Sequence, residues 1–127
     1  MQPEPTVYVV DDDEPIRDSL RWLIESVGLD VETYAEAQDF LDAYDGKKPA
    51  CLVLDLRMPG MSGLELQDAL ASRNMTIPII FITAHGEIKA AVRALKGGAV
   101  DFISKPFSDQ VLLDRIQQAI KSGAPNL

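Results

Sequence analysis

The sequence predicts an α/β domain: a five-stranded, doubly wound parallel sheet with five helices. Three observations carry that prediction. Short apolar runs alternate strictly with segments whose apolar residues recur at helical spacing. The first, third and fourth runs are apolar throughout, as strands are when helices cover both faces of a sheet. Clusters of Gly, Pro and Asp separate the segments, with no repeat, low-complexity tract or long linker between them.

In chain order, Thr6–Val10 is a β-branched and aromatic run that stops abruptly at acids, a buried strand. From Pro15 the period changes. Ile16, Leu20, Leu23, Ile24 and Val27 follow helical spacing, Pro15 suits a first turn and Gly28 suits the stop. Val31–Tyr34 is a second strand that alternates with charge, Glu36–Tyr44 is helical, and Asp45–Pro49 is a turn. Cys51–Leu54 is the third strand. The loop Arg57-Met58-Pro59-Gly60-Met61-Ser62-Gly63 follows, and Ser62 with Glu65 forms a capping box for a helix to about Asn74. Ile79–Ile82 is the fourth strand, ending at Thr83. Glu87–Lys96 is a helix closed by Gly97-Gly98, and Val100–Ile103 is a short fifth strand. After Lys105-Pro106 a last amphipathic helix, about Ser108–Lys121, carries Val111, Leu112, Ile116 and Ile120 on one stripe.

The chain has 127 residues, is 46% hydrophobic and 25% charged, and so suits one domain with a core of its own. Residues 1–121 are expected to form it, with 122–127 the start of a linker or tail. The lone cysteine, Cys51, cannot form an internal disulfide and sits in an apolar run without a basic neighbour, so it reads as a small core residue in a reducing compartment. No leader or membrane span is visible, and the expectation is a cytoplasmic chain that does not engage a membrane. A net charge of −8 repels nucleic acid and argues against DNA binding by this chain alone.

Sheets of this kind bind ligands outside the carboxyl ends of their strands. Those ends present Asp11-Asp12, Asp55, Thr83 and, just past the fifth strand, Lys105. Taken singly, each has an ordinary explanation: Asp11–Glu14 as a solvated acidic loop with a helix cap, Asp55 as a turn former, Thr83 and Lys105 as incidental. Taken together they do not. Three converging carboxylates repel unless a cation joins them. Lys105 offsets one charge and a divalent ion two more; a site of oxygen donors without soft ligands favours Mg²⁺, or Mn²⁺, over zinc. A carboxylate can attack a phosphoryl group, and the charge that spreads over the phosphoryl oxygens is then met by metal, ammonium and hydroxyl. Asp55, central in the sheet, is the nucleophile expected, with Asp11 and Asp12 holding the metal.

These residues carry a resemblance. Val9-Val10-Asp11-Asp12-Asp13, Leu54-Asp55-Leu56-Arg57-Met58-Pro59-Gly60-Met61-Ser62-Gly63, Ile82-Thr83-Ala84-His85 and Phe102-Ile103-Ser104-Lys105-Pro106-Phe107 together resemble the receiver domain of bacterial two-component response regulators over nearly the whole chain. Arg57-Met58-Pro59 and Thr83-Ala84-His85-Gly86 are most similar to the FixJ-type subgroup, whose members usually attach the receiver to a C-terminal helix-turn-helix domain. The resemblance implies a flavodoxin-like sheet of order 2-1-3-4-5. It implies that Asp55 takes a phosphoryl group from a sensor histidine kinase, with Mg²⁺ held by Asp12 directly, by Asp11 through water, by Asp55 and by the backbone carbonyl of Arg57. Asp13 falls outside that set, as a surface or capping residue.

By the same resemblance Thr83 and Ala84 contact the phosphoryl group, Lys105 pairs with it, and the Lys105-Pro106 bond is cis. Phe102 occupies the aromatic switch position, with plain core on the fifth strand the lesser reading. Arg57 and His85 flank the site and tune the lifetime of the aspartyl phosphate, although a histidine there can also be a loop residue without a role. Phosphorylation would draw Thr83 and Lys105 inward and move the Thr83–Phe107 face. A homodimer through helix 4 and strand 5 is expected, with Ile88, Val92 and Leu95 beside Lys89, Arg93 and Lys96; those three apolar residues suit core packing as well.

The domain is therefore expected to catalyse only its own phosphorylation and dephosphorylation and to control transcription through an attached DNA-binding domain. A stand-alone receiver acting through protein partners is the alternative. An aspartate-nucleophile phosphatase is disfavoured because Arg57 stands where such enzymes place a second Asp, and because a cap domain needs more chain. A degenerate receiver has no need of all five site residues.

Overall fold

The computed structural model describes residues 4–83 and 87–123. Five strands and five helices alternate: β1 Thr6–Val10, α1 Glu14–Glu25, β2 Asp30–Tyr34, α2 Ala37–Ala43, β3 Ala50–Asp55, α3 Gly63–Ser72, β4 Ile79–Thr83, α4 Ile88–Lys96, β5 Asp101–Ser104 and α5 Asp109–Gly123. All pairings are parallel, in the order β2-β1-β3-β4-β5. The sheet and its order agree with the expectation.

Strand alternation divides the core in two. Tyr8, Val10, Leu52, Leu54, Ile79 and Phe81 face one way, onto Phe40 of α2 and Leu66 and Leu70 of α3. Val7, Val9, Cys51, Val53, Ile80 and Ile82 face the other, onto Leu20 and Ile24 of α1 and Leu112 and Ile116 of α5. With helices on both sides, every residue of β1 and β4 is buried, which is why those runs contain no alternating polar positions. Cys51 lies in this interior, where burial pushes its thiol up to about 12.

Several boundaries differ from the sequence reading for physical reasons. α1 stops at Glu25, ahead of the positive φ of Gly28 at +82°, so Val27 lies past the helix and partly in water. β5 begins at Asp101 rather than Val100. The Val100 amide donates to the Ile79 carbonyl at 2.9 Å, but its side chain is 51% exposed, and the ladder proper starts with Ile80 opposite Asp101. On α5 the buried face is Leu112, Leu113, Ile116 and Ala119; Val111, one residue before it, turns away and is 41% exposed. α5 also runs two residues past the expected end at Lys121.

Among the described residues, no helix is long and apolar enough to cross a membrane.

Candidate functional site

Strand register brings the predicted residues together. Val10 of β1 lies opposite Leu54 of β3, so the next residues, Asp11 and Asp55, emerge side by side. Asp55 lies opposite Ile82 of β4, and Thr83 opposite Ser104 of β5, which places Thr83 and Lys105 one step further along the same sheet edge. The Lys105 amide donates to the Thr83 carbonyl at 2.8 Å, and the Lys105–Pro106 peptide is cis. Carboxylate oxygens of Asp11, Asp12 and Asp55 all lie within 4.8 Å of one another.

Asp11 is only 2% exposed, so the acidic run is not simply a solvated loop. Its backbone is fixed on both sides: its amide donates to the Tyr34 carbonyl at 3.1 Å, and its carbonyl accepts from Arg17 Nη1 at 2.7 Å. Its Oδ1 accepts the Asp13 amide at 2.9 Å. Asp13 serves as the N-cap residue of α1 but makes no side-chain cap bond, and it is exposed.

The electrostatics follow from crowding. Burial, then the Asp11 charge, raises the Asp55 carboxyl from 3.8 to about 6, while Lys105 and an amide hydrogen bond from Arg57 pull the other way. Burial likewise raises Asp11, opposed by the Asp13 amide and by Lys105. A cation at this point relieves both, and the donor set of three carboxylates is the hard, oxygen-only kind that suits a small divalent ion.

The site has one rigid wall. Ser62 Oγ accepts the Glu65 amide at 3.1 Å and Glu65 Oε1 accepts the Ser62 amide at 3.0 Å, the capping box expected for α3. This turn presses Gly63 against the end of β3. A Cβ at position 63 would collide with the Asp55 carbonyl oxygen and lie 3.0 Å from Phe81 Cε1. Sequence reading assigned Gly63 no part; its place directly after the cap residue was the available signal.

On the same face of the sheet Phe102 is half-buried against the α2–α3 core, its ring 6.3 Å from that of Phe81. Arg57 is exposed and forms a two-pronged ion pair with Glu87, Nε to Oε1 at 2.5 Å and Nη2 to Oε2 at 2.9 Å. Glu87 was not anticipated, because nothing local links two charges thirty positions apart. Ile88, Val92 and Leu95 are 75%, 46% and 49% exposed, so core packing does not explain them. Ala84 and His85 lie outside the described residues.

A five-stranded parallel sheet with carboxylates converging at its carboxyl edge is a doubly wound α/β domain with its candidate site where such sheets bind ligands. The family model for the response regulator receiver domain matches residues 7–117, and the chain belongs to that family. It is 54% identical over 113 residues to nodulation protein W of Bradyrhizobium diazoefficiens, covering 89% of this chain and 50% of that protein. It is 44% identical over 119 residues to transcriptional regulatory protein FixJ of the same organism, covering 94% and 58%. Among solved structures, FixJ-N superposes with a TM-score of 0.90 at 43% identity, covering the whole of both chains. The similarity is thus to the FixJ type. The chain spans about half the length of the curated relatives it matches.

Proposed function

We propose that this domain is the phospho-acceptor of a two-component response regulator, taking a phosphoryl group from a sensor histidine kinase onto Asp55. The observation that carries the reading is the convergence of Asp11, Asp12 and Asp55 oxygens within 4.8 Å at the carboxyl edge of the sheet. At neutral pH the Asp55 carboxyl, raised to about 6, is still largely ionised and nucleophilic. A carboxylate oxygen attacks phosphorus as the P–N bond of the donor phosphohistidine breaks; the departing nitrogen keeps the electron pair and takes a proton from water.

Asp12 and Asp55, the Arg57 carbonyl, and Asp11 through water would hold Mg²⁺ or Mn²⁺. That ion supplies positive charge for the phosphoryl oxygens. Lys105 pairs with one of those oxygens, and Thr83 and Ala84 hydrogen-bond another. As Thr83 moves inward, Phe102 turns into the space it leaves, without a hydroxyl to bury. Arg57 and His85 flank the phosphoryl group and set its lifetime. The domain turns over no separate substrate.

The output reading rests on exposed Ile88, Val92 and Leu95 with Lys89, Arg93 and Lys96 alongside, a surface suited to a phosphorylation-dependent homodimer through α4 and β5. Residues 1–121 act as the receiver, and 122–127 are the start of a linker or a C-terminal tail. Longer relatives, among them two named transcriptional regulatory proteins, support transcriptional control, with nucleic acid bound by the attached domain and the whole chain cytoplasmic.

Incubation with a small phosphodonor and Mg²⁺, followed by intact mass, tests the reading. One added phosphoryl mass is expected, absent in Asp55→Asn and without Mg²⁺. An unmodified native chain, or an Asp55→Asn chain that is still modified, sinks it.

A further inference from the structure

We propose that Arg57 and Glu87 form a charge-operated tie between the Asp55 site and α4, and that a phosphoryl group on Asp55 competes with Glu87 for the Arg57 guanidinium. The competition rests on the phospho-acceptor reading; the tie itself does not.

The geometry assigns the two ends. Arg57 stands two residues after Asp55 in the loop leading to α3, and its planar fork grips both oxygens of Glu87. Glu87 is the N-cap residue of α4, yet its side chain makes no cap bond to its own helix. It is committed to Arg57 instead. The only buried residue of α4 is Ala94, near the other end. There the Gln67 amide donates to the Ala94 carbonyl at 2.9 Å and Arg93 pairs with Asp68 at 3.2 Å, joining α4 to α3. The first turn of α4 is thus held by the Arg57–Glu87 pair and by Ala90, half-buried against the α2–α3 core, and its last turn by Gln67 and Asp68.

The chemistry supplies a rival for that hold. A guanidinium fork fits phosphate oxygens as well as carboxylate oxygens. A carboxylate offers one negative charge, whereas a phosphoryl group brings about two to the same short loop. The Arg57 end of the pair is largely in water, its side chain 74% exposed against 22% for Glu87, and a pair with an exposed guanidinium exchanges partners at low cost. Losing Glu87 would loosen the first turn of α4 while the Gln67 and Asp68 contacts keep its last turn in place.

Amide hydrogen exchange at Ala91 and Val92 reads the first turn, since the Ala91 amide donates to the Glu87 carbonyl at 3.0 Å. Amides of Leu66 and Leu70 serve as controls. In the unmodified full chain, Glu87→Gln and Arg57→Gln should each speed exchange at Ala91 and Val92 several-fold, and the double variant should be no faster than either. Compared at equal phosphoryl mass, phosphodonor with Mg²⁺ should speed the same amides in the native chain and have little further effect in Glu87→Gln. Variants that exchange like the native chain, or an undiminished phosphodonor response in Glu87→Gln, would overturn the proposal. If the native chain gains no phosphoryl mass, the competition and the function reading fall together, while the unmodified variants still decide the tie.

Discussion

Helices α3 and α4 are nearly the same length, at 10 and 9 residues, and lie in succession around the site, yet they are held in opposite ways. α3 buries Leu66 and Leu70, starts in a complete capping box, and seats Gly63 against the Asp55 backbone. α4 buries Ala94, has no side-chain cap bond, and leaves Ile88, Val92 and Leu95 in water. Few buried apolar contacts mark the parts of a protein that open and shift most cheaply. The site is built between a firmly packed element and a loosely held one, so on the proposed phospho-acceptor reading a charge added at Asp55 would move α4 rather than α3.

That contrast can be broken by substitution. The largest effect is expected from Leu70→Ala on α3, which empties a fully enclosed position and should cost about 2–5 kcal/mol of stability in denaturant melts. A loss under about 1 kcal/mol would mean that α3 is not the rigid wall described.

Next comes Asp55→Asn in the metal-free chain. Because the folded-state carboxyl is raised from 3.8 to about 6, its contribution to stability is fully present below the unfolded value and is lost as pH rises through the folded one. Removing the charge should therefore stabilise the chain above pH 6 by about 1–2 kcal/mol, allowing for solvent screening at a partly exposed group, and change little below about pH 4. Equal denaturant midpoints for the two proteins at high pH would show that the acidic cluster is not crowded.

The smallest stability effect belongs to Leu95→Ala on α4, expected within about 0.5 kcal/mol of native. Its consequence should appear elsewhere, as a weaker dimer of the phosphorylated chain in mass measurements across micromolar concentrations. A stability loss as large as that of Leu70→Ala would erase the distinction between the helices.

Much of this was legible in advance. Strands buried on both faces announce themselves as unbroken apolar runs, and the residues just past them can be lined up once the sheet is parallel. Ser62 and Glu65 are a local device and were read locally. Legibility failed where the cause is distant in sequence. Val100 has strand propensity, but the ladder starts at Asp101, whose carboxylate is engaged by Arg115 at 2.6 Å from α5. Val111 fits a loose helical stripe, and only contact with the sheet selects Leu112 and Leu113 instead. Asp11 and Asp12 look alike in sequence, yet one is buried and the other exposed. Arg57 was placed beside the site in advance, but Glu87 resembles ordinary surface charge until the fold joins the two.

Gly63 offers a last lesson about how sites are recognised. It carries no functional group, yet any side chain there meets the carbonyl of Asp55, the residue proposed to take the phosphoryl group. A saturation scan scored on activity would rank position 63 with the carboxylates. Intolerance there would record the thickness of a wall, and a reader looking for reactive groups would count one residue too many.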